Sequence, residues 1–175
     1  MGTQKWGYKS SAAWLAQAGP SKWSRTFSGR PEAVELARDH AYSLFAGTGR
    51  ETDVKLIVTE LAANAVRHTL SGRPGGWFGL DLKVDTETAW IAVTDLGSDA
   101  FPVIKPRQDL TAADLDDPAK LATLAESGRG LQLVETLAIA LGIHGSRNGR
   151  TVWADLDMKA DAAARVRPSV PVFAC

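Results

Sequence analysis

Apolar residues recur at helical spacing through residues 51–69. At about 100° per residue, one narrow apolar stripe contains Val54, Ile57, Val58, Leu61 and Ala65. Glu60, Asn64 and His68 follow one another at intervals of four along the flank of this stripe, and Arg67 lies beside them. The pattern predicts an amphipathic helix with a polar rim between core and water, where a polar ligand could sit. Taken alone, the same residues also fit a solvated helix flank with i,i+4 polar pairs.

Five strands are predicted, over residues 22–27, 78–84, 90–95, 143–146 and 151–156. The first two show the alternation of apolar and polar residues that is typical of a half-buried strand. The second and third strands are joined by a short polar turn and form a predicted hairpin. Asn148-Gly149, between the last two strands, is typical of a type I′ hairpin turn. A further helix is predicted over residues 31–45, because Pro31 and Glu32 suit a helix start.

Residues 97–127 have no strand pattern and contain three prolines and an acidic stretch. A segment of this length inside a compact domain often forms a lid over a site. Residues 21–158 are predicted to form one domain between an N-terminal tail (1–20), with one short helix at 11–18, and a C-terminal tail (159–175). Trp6 and Trp14 of the first tail are interpreted as packing residues, with a partner surface as the alternative.

Composition narrows the class of protein. A chain of 175 residues with zero formal net charge fits one globular domain and argues against direct nucleic-acid binding through bulk charge. No apolar run approaches the length of a membrane span, and the N-terminus lacks an export pattern. The single cysteine, Cys175, cannot form an internal disulfide, so the cytoplasm is the expected compartment.

Asp95 ends the third predicted strand. It shares the parity of Ile91 and Val93, so it is expected to point inward with them. A buried carboxylate is costly unless a donor binds it, and the exocyclic amino group of a purine is such a donor. A local alternative stays open, since Asp95 could instead cap the turn at Leu96-Gly97.

Gly128-Arg129-Gly130 begins a predicted helix, whose apolar face contains Leu131, Val134, Ala138 and Leu141. Glycines at this place let backbone N–H groups approach a phosphate, and the helix N-terminus favours its negative charge. Arg129 could add a charged contact. The segment lacks the Gly-Lys-Ser/Thr of a Walker loop and does not directly follow a strand as a Rossmann fingerprint does. A plain glycine-rich helix start is the alternative.

The flank of the helix over residues 51–69 supplies further candidate chemistry. The amide of Asn64 can hold Mg²⁺ beside phosphates, because this ion takes only one or two protein ligands and keeps its waters. Glu60, one turn earlier, could accept a proton from an attacking hydroxyl or water. Arg67 or His68 could contact a phosphate oxygen.

Three segments resemble, in order and spacing, the N, G1 and G2 boxes of the GHKL (Bergerat-fold) ATPases: Glu60…Asn64…His68, Asp95-x-Gly97 and Gly128-x-Gly130-Leu131. The resemblance covers about residues 22–156 and is nearest to the small anti-sigma branch of bacterial serine/threonine kinases and similar single-domain ATP-binding proteins of actinobacteria. It implies an α/β fold, a two-layer α/β sandwich with a mixed, mostly antiparallel sheet, helices on one face and an ATP lid.

The resemblance also implies roles for individual residues. Glu60 matches the catalytic base, Asn64 the Mg²⁺ ligand and Asp95 the adenine-binding aspartate. Residues 98–127 match the lid. ATP and Mg²⁺ are the implied cofactors, and the implied binding set is Asn64, Arg67, His68, Asp95, Gly97, Gly128, Arg129, Gly130 and Leu131.

Two positions depart from the family pattern. Asp99 stands where the G1 pattern Asp-x-Gly-x-Gly has its second glycine, which would stiffen the lid hinge and place a negative charge near the phosphates. This bears more on turnover than on adenine binding. The last strand has Gly149-Arg150-Thr151-Val152 where the pattern is Gly-Thr-x-Val. Thr151 is one place late and by parity faces away from Val152, so it is not assigned to the site.

The resemblance implies an ATP-binding anti-sigma regulatory factor. Such a protein sequesters a sigma factor and phosphorylates a serine or threonine of a STAS-like anti-anti-sigma partner, and a homodimer is a further expectation. A non-catalytic, ATP-dependent protein-binding regulatory module is the alternative, which Asp99 slightly favours. A helper domain for a separate histidine-kinase-like system is a third hypothesis, in which His68 is a poor phosphoacceptor because it lies in the ATP-binding helix.

Overall fold

The computed structural model describes residues 22–84, 87–99, 110–126, 128–159 and 172–174. The predicted short helix at 11–18, Trp6 and Trp14 lie outside these ranges. Within them, no helix combines the length and the apolar character needed to cross a membrane.

Six strands form one sheet in the order β1-β2-β3-β5-β4-β6. They are β1 (Trp23–Ser28), β2 (Trp77–Val84), β3 (Thr88–Asp95), β4 (Ala140–Ser146), β5 (Gly149–Asp157) and β6 (Val172–Ala174). All neighbouring strands pair antiparallel except β4 and β6, which are parallel. The predicted mixed, mostly antiparallel sheet is therefore confirmed. Residues 172–174 were assigned to a tail and instead form β6.

The described residues form five α-helices: α1 (Pro31–Leu44), α2 (Glu51–His68), α3 (Ala112–Leu115), α4 (Pro118–Glu126) and α5 (Gly130–Leu137). Pro31 occupies the first turn of α1, as its fixed φ favours. The predicted apolar stripe of α2 is confirmed, because all five of its residues are buried. This stripe packs α2 on α1, α5 and β3, so α2 lies at the centre of the helix layer.

The helices and the sheet form two layers around one core. A single buried cluster joins the stripe of α2 to the inner-facing residues of β3 and β5, which are Ala89, Ile91, Val93, Val152, Ala154 and Leu156. Residues of the opposite parity face the other side of the sheet, where the hydroxyls of Thr94 and Thr151 lie 2.8 Å apart. We call these the inner and outer faces. Asp95 points to the inner face and Thr151 to the outer face, as predicted.

The turn between β4 and β5 differs from the prediction. Ser146 pairs with Gly149, so the two loop residues are Arg147 and Asn148, and Gly149 is already part of β5. No described residue other than glycine has a positive φ, whereas a type I′ turn needs a positive φ at both loop positions. The type I′ prediction is therefore wrong, because strand pairing shifts the loop by one residue.

Helix α5 is shorter than predicted. It ends at Leu137, and Ala138 has an extended backbone with φ −79° and ψ 155°. β4 then begins at Ala140, not at Ile143. Leu141 and Ile143 are both buried at the strand spacing of two, so they belong to the sheet. The apolar residues around 138–143 fit both the helical and the strand period, and their spacing alone could not locate the boundary.

The described part of the predicted lid contains α3 and α4. Asp117 caps α4 by accepting the backbone N–H of Ala119 at 2.9 Å, with Pro118 in the first helical position. Leu110, Leu115 and Leu124 are buried and join the main core. This half of the segment is therefore anchored on the domain and is not a loose excursion from it.

Candidate functional site

The polar flank of α2 is graded in exposure, and it is not a uniform rim. Glu60 is only 6% exposed, whereas Asn64 is half-buried and Arg67 and His68 are exposed. The prediction of a rim is correct for the C-terminal end of the helix and wrong for Glu60. The reason is that α5 begins directly over Glu60, as the contact at Gly130 shows.

Glu60 and Gly130 are packed against each other. A Cβ atom built on Gly130 would lie 2.1 Å from Oε2 and 3.0 Å from Cδ of Glu60. The structure therefore brings the carboxylate of the predicted base to the start of the predicted phosphate-binding helix. Burial raises the pKa of Glu60, and the charge of Arg67 partly opposes this rise. A carboxylate in this state accepts a proton more readily than an exposed one.

Glycine is required at two positions at the start of α5, for a different physical reason at each. Gly128 has a φ of 74°, which side-chain-bearing residues rarely adopt. Gly130 lies in the helix, and a side chain is excluded there because Glu60 occupies the space beside it. The predicted binding residue Leu131 has its side chain in the core, 7% exposed, so only its backbone is placed to approach a ligand.

Asp95 is 5% exposed on the inner face at the end of β3. Its Oδ1 accepts the backbone N–H of Gly97 at 2.5 Å, so the turn-capping alternative is confirmed. Burial raises its pKa to about 6, against the opposing effects of the Gly97 N–H and the charge of Arg150. Asp95 points inward and caps the turn at the same time, because the carboxylate that accepts the Gly97 N–H lies on the inner face of the sheet.

The loop after Asp95 is held tightly at Gly97, whose φ is 80°. A Cβ atom there would lie 2.1 Å from the carbonyl oxygen of Arg147 in the β4–β5 turn. The Gly97 carbonyl accepts the backbone N–H of Leu70 at 2.8 Å, just beyond the end of α2. The predicted G1 residues are thereby fixed between the predicted N-box helix and the last hairpin.

The sequence pattern did not single out Arg150 as a residue of the site. Its side chain is 1% exposed, and it is the register partner of Asp95 on the inner face of β5. Its Nη2 donates to both the carbonyl oxygen and the hydroxyl of Ser98, each at 2.6 Å. The available signal was that Arg150 has the same parity as Val152, whose side chain lies in the core on the inner face.

A cavity of about 830 Å³ lies at the C-terminal end of α2, and its lining includes Arg67, His68, Ser98, Asp99 and Arg147. It shares Arg67 and His68 with the predicted site, while Glu60, Asn64, Asp95 and residues 128–131 lie outside its lining. Basic groups outnumber the one carboxylate there, which suits an anionic ligand. Asp99, the departure from the family pattern, is exposed in this cavity.

The described residues fit a nucleotide with its metal ion. Asp95 is a hydrogen-bond acceptor on the inner face of the sheet. Gly130 has no side chain where α5 meets Glu60, and Arg67 supplies positive charge. Asn64 is accessible enough to offer one oxygen to Mg²⁺, which needs few protein ligands. These residues offer an inward acceptor, a positive charge and a buried proton acceptor, which are groups that a nucleotide with its metal ion would use.

Comparison with known proteins gives one family. A family model described as a histidine kinase-like ATPase domain matches residues 27–156, which is well over half of the chain. No curated protein matches the chain.

Proposed function

The chain belongs to the histidine kinase-like ATPase domain family, and from this premise we propose that it is an ATP-binding anti-sigma regulatory factor of the GHKL superfamily. Membership in a family of ATPase domains implies ATP binding. The regulator sequesters a sigma factor in the cytoplasm and transfers phosphate to a serine or threonine of a STAS-like anti-anti-sigma partner. Phosphorylation then weakens the partner's hold on the regulator.

One observation supports transfer more than any other: the Glu60 carboxylate is buried against Gly130 at the start of α5. In the step we propose, the hydroxyl oxygen of the partner's side chain forms a bond to the γ-phosphorus of ATP. The bond between that phosphorus and the bridging oxygen breaks, and ADP leaves with the electron pair. Glu60 accepts the hydroxyl proton, which its raised pKa favours.

The remaining residues bind and orient the nucleotide. Asp95 accepts from the exocyclic amino group of the base, and the backbone of Gly128 to Gly130 meets the phosphates together with Arg67. Asn64 is the proposed ligand of Mg²⁺, which when bound supplies positive charge to the phosphate oxygens.

A second candidate is a non-catalytic module whose partner affinity depends on ATP. The specific observation in its favour is Asp99, whose exposed carboxylate lines the same cavity as Arg67 and His68. A negative charge beside the groups that would contact phosphates disfavours turnover more than it disfavours binding of the base.

Replacement of Glu60 by Gln tests the catalytic proposal. We expect phosphate transfer from labelled ATP to purified STAS-domain partners to fall by about a hundredfold or more, because the amide cannot accept the proton. ATP affinity measured by calorimetry should change little. Glu51→Gln, at the first residue of the same helix, is the matched control and should transfer normally. Transfer that survives in Glu60→Gln, or ATP binding that collapses with it, would contradict the role of Glu60.

A further inference from the structure

Arg150 holds a fully buried charge directly beside the proposed base-binding aspartate. It is among the largest side chains that the described core encloses completely. Asp95 is its partner in the β3–β5 register, and both residues lie on the inner face of the sheet. An arginine is rarely enclosed in this way unless anionic and hydrogen-bonding groups compensate its charge.

The compensating groups belong to one short loop, residues 95–98. Arg150 contacts the end of the loop through two charge-assisted bonds from Nη2 to Ser98. At its beginning, the Arg150 charge and backbone N–H both act on the Asp95 carboxyl. Between them, Oδ1 of Asp95 holds the N–H of Gly97. Arg150 therefore acts on both ends of the loop, and the hydrogen bond from the Gly97 N–H to Asp95 holds the residues between them.

We propose that Arg150 is a positioning residue for nucleotide binding, which locks residues 95–98 in the binding conformation and holds a positive charge beside the Asp95 carboxylate. Without this cation, Asp95 is a buried carboxylate with no compensating charge from β5, and it takes up a proton at a higher pH. A protonated carboxyl presents a hydrogen where the amino group of the base needs an acceptor. The loop also loses its anchor at Ser98.

The pH dependence of ATP affinity separates this role from simple packing. Arg150 on β5 is the charged group that acts on the Asp95 carboxyl, whereas on α2, which packs on β3, Glu60 and Arg67 act on each other. The wild-type protein should lose affinity about tenfold per pH unit below a midpoint near pH 6, where Asp95 takes up its proton. The ratio of variant to wild-type affinity at each pH cancels the titration of the nucleotide's own phosphates.

Three variants separate the two parts of the proposed role, which are the charge beside Asp95 and the anchoring of the loop at Ser98. In Arg150→Met the midpoint should rise by about one pH unit or more, so that affinity lost at neutral pH returns on the alkaline side. Arg150→Lys keeps a charge but not the forked geometry, so its midpoint should stay near that of wild type while affinity falls at every pH. Ser98→Ala removes one acceptor and should lower affinity a few-fold without moving the midpoint. Thr151→Val, on the outer face of the same strand, is the control and should match wild type.

The inference is overturned if folded Arg150→Met has the wild-type midpoint, or if none of the affinity that it loses at neutral pH returns at high pH. Should Arg150→Met fail to fold, wild-type binding in both Arg150→Lys and Ser98→Ala would overturn it equally. Because this role depends on the proposed nucleotide binding, the wild-type titration is measured first. No ATP binding by the wild type refutes the proposed function, whereas binding that is insensitive to Arg150 refutes only the positioning role. Repeating the series in Glu60→Gln removes the second buried carboxylate from the titration.

Discussion

Asp95→Asn is expected to weaken ATP binding by about tenfold to a hundredfold and to gain stability relative to the wild type as the pH rises from 4 to above 6. The amide keeps an oxygen for the Gly97 N–H but presents no second acceptor to the amino group of the base. The affinity loss is measured by calorimetry. Asp81→Asn is the matched control, because Asp81 is also buried in the sheet but faces outward, bonded to Ser24 and Lys22. It should leave ATP affinity unchanged.

The gain in stability follows from the raised pKa of Asp95. A carboxyl group with a higher pKa in the folded state than its usual 3.8 binds its proton more tightly when folded. Its contribution to stability is full below pH 4 and is lost as the pH rises to about 6. Asn carries no such titration, so the unfolding free energy of the variant minus that of the wild type should increase by on the order of 2–3 kcal/mol between pH 4 and a pH above 6. A difference in unfolding free energy that does not depend on pH would contradict this account.

Gly130→Ala is expected to abolish phosphate transfer and to destabilise the protein by no more than about 1 kcal/mol, because the new methyl group displaces the end of the flexible Glu60 side chain. Gly130 is helical, so the backbone itself tolerates alanine. The clash is therefore the whole cost, and unfolding in denaturant measures it.

The sign of this effect should reverse once Glu60 is shortened. In a Glu60→Ala background the methyl group has room, and Gly130→Ala should stabilise α5 by about 0.5–1 kcal/mol through the higher helix propensity of alanine. A double-mutant cycle compares the two backgrounds. An equal cost in both would show that Glu60 does not occupy the space beside Gly130.

The sequence predicted those parts of the fold that follow from one strong period. The stripe of α2 has the helical period and β2 has the alternation of a strand, so both were located within one or two residues. The spacing of apolar residues does not distinguish a helix from a strand around residues 138–143, because it suits both equally. It also does not predict β6, a short strand whose pairing with β4 is fixed by contacts distant in sequence.

The candidate site was predictable in its residue types but not in its burial. The inward orientation of Asp95 followed from parity with Ile91 and Val93. The burial of Glu60 did not, because it depends on where α5 begins in space. Arg150 was overlooked because an arginine inside a strand is expected to be exposed, and only the register with Asp95 and the proximity of Ser98 explain its enclosure.

The most direct measurement of the central claim is a calorimetric titration of the wild-type protein with ATP, with and without Mg²⁺, beside Asn64→Ala. The account predicts a dissociation constant of about a micromolar with Mg²⁺. It also predicts that Asn64→Ala loses the part of the affinity that depends on the metal ion. The absence of any binding by the wild type up to millimolar ATP would contradict nucleotide binding at this site, and both the kinase and the ATP-dependent module would fall with it.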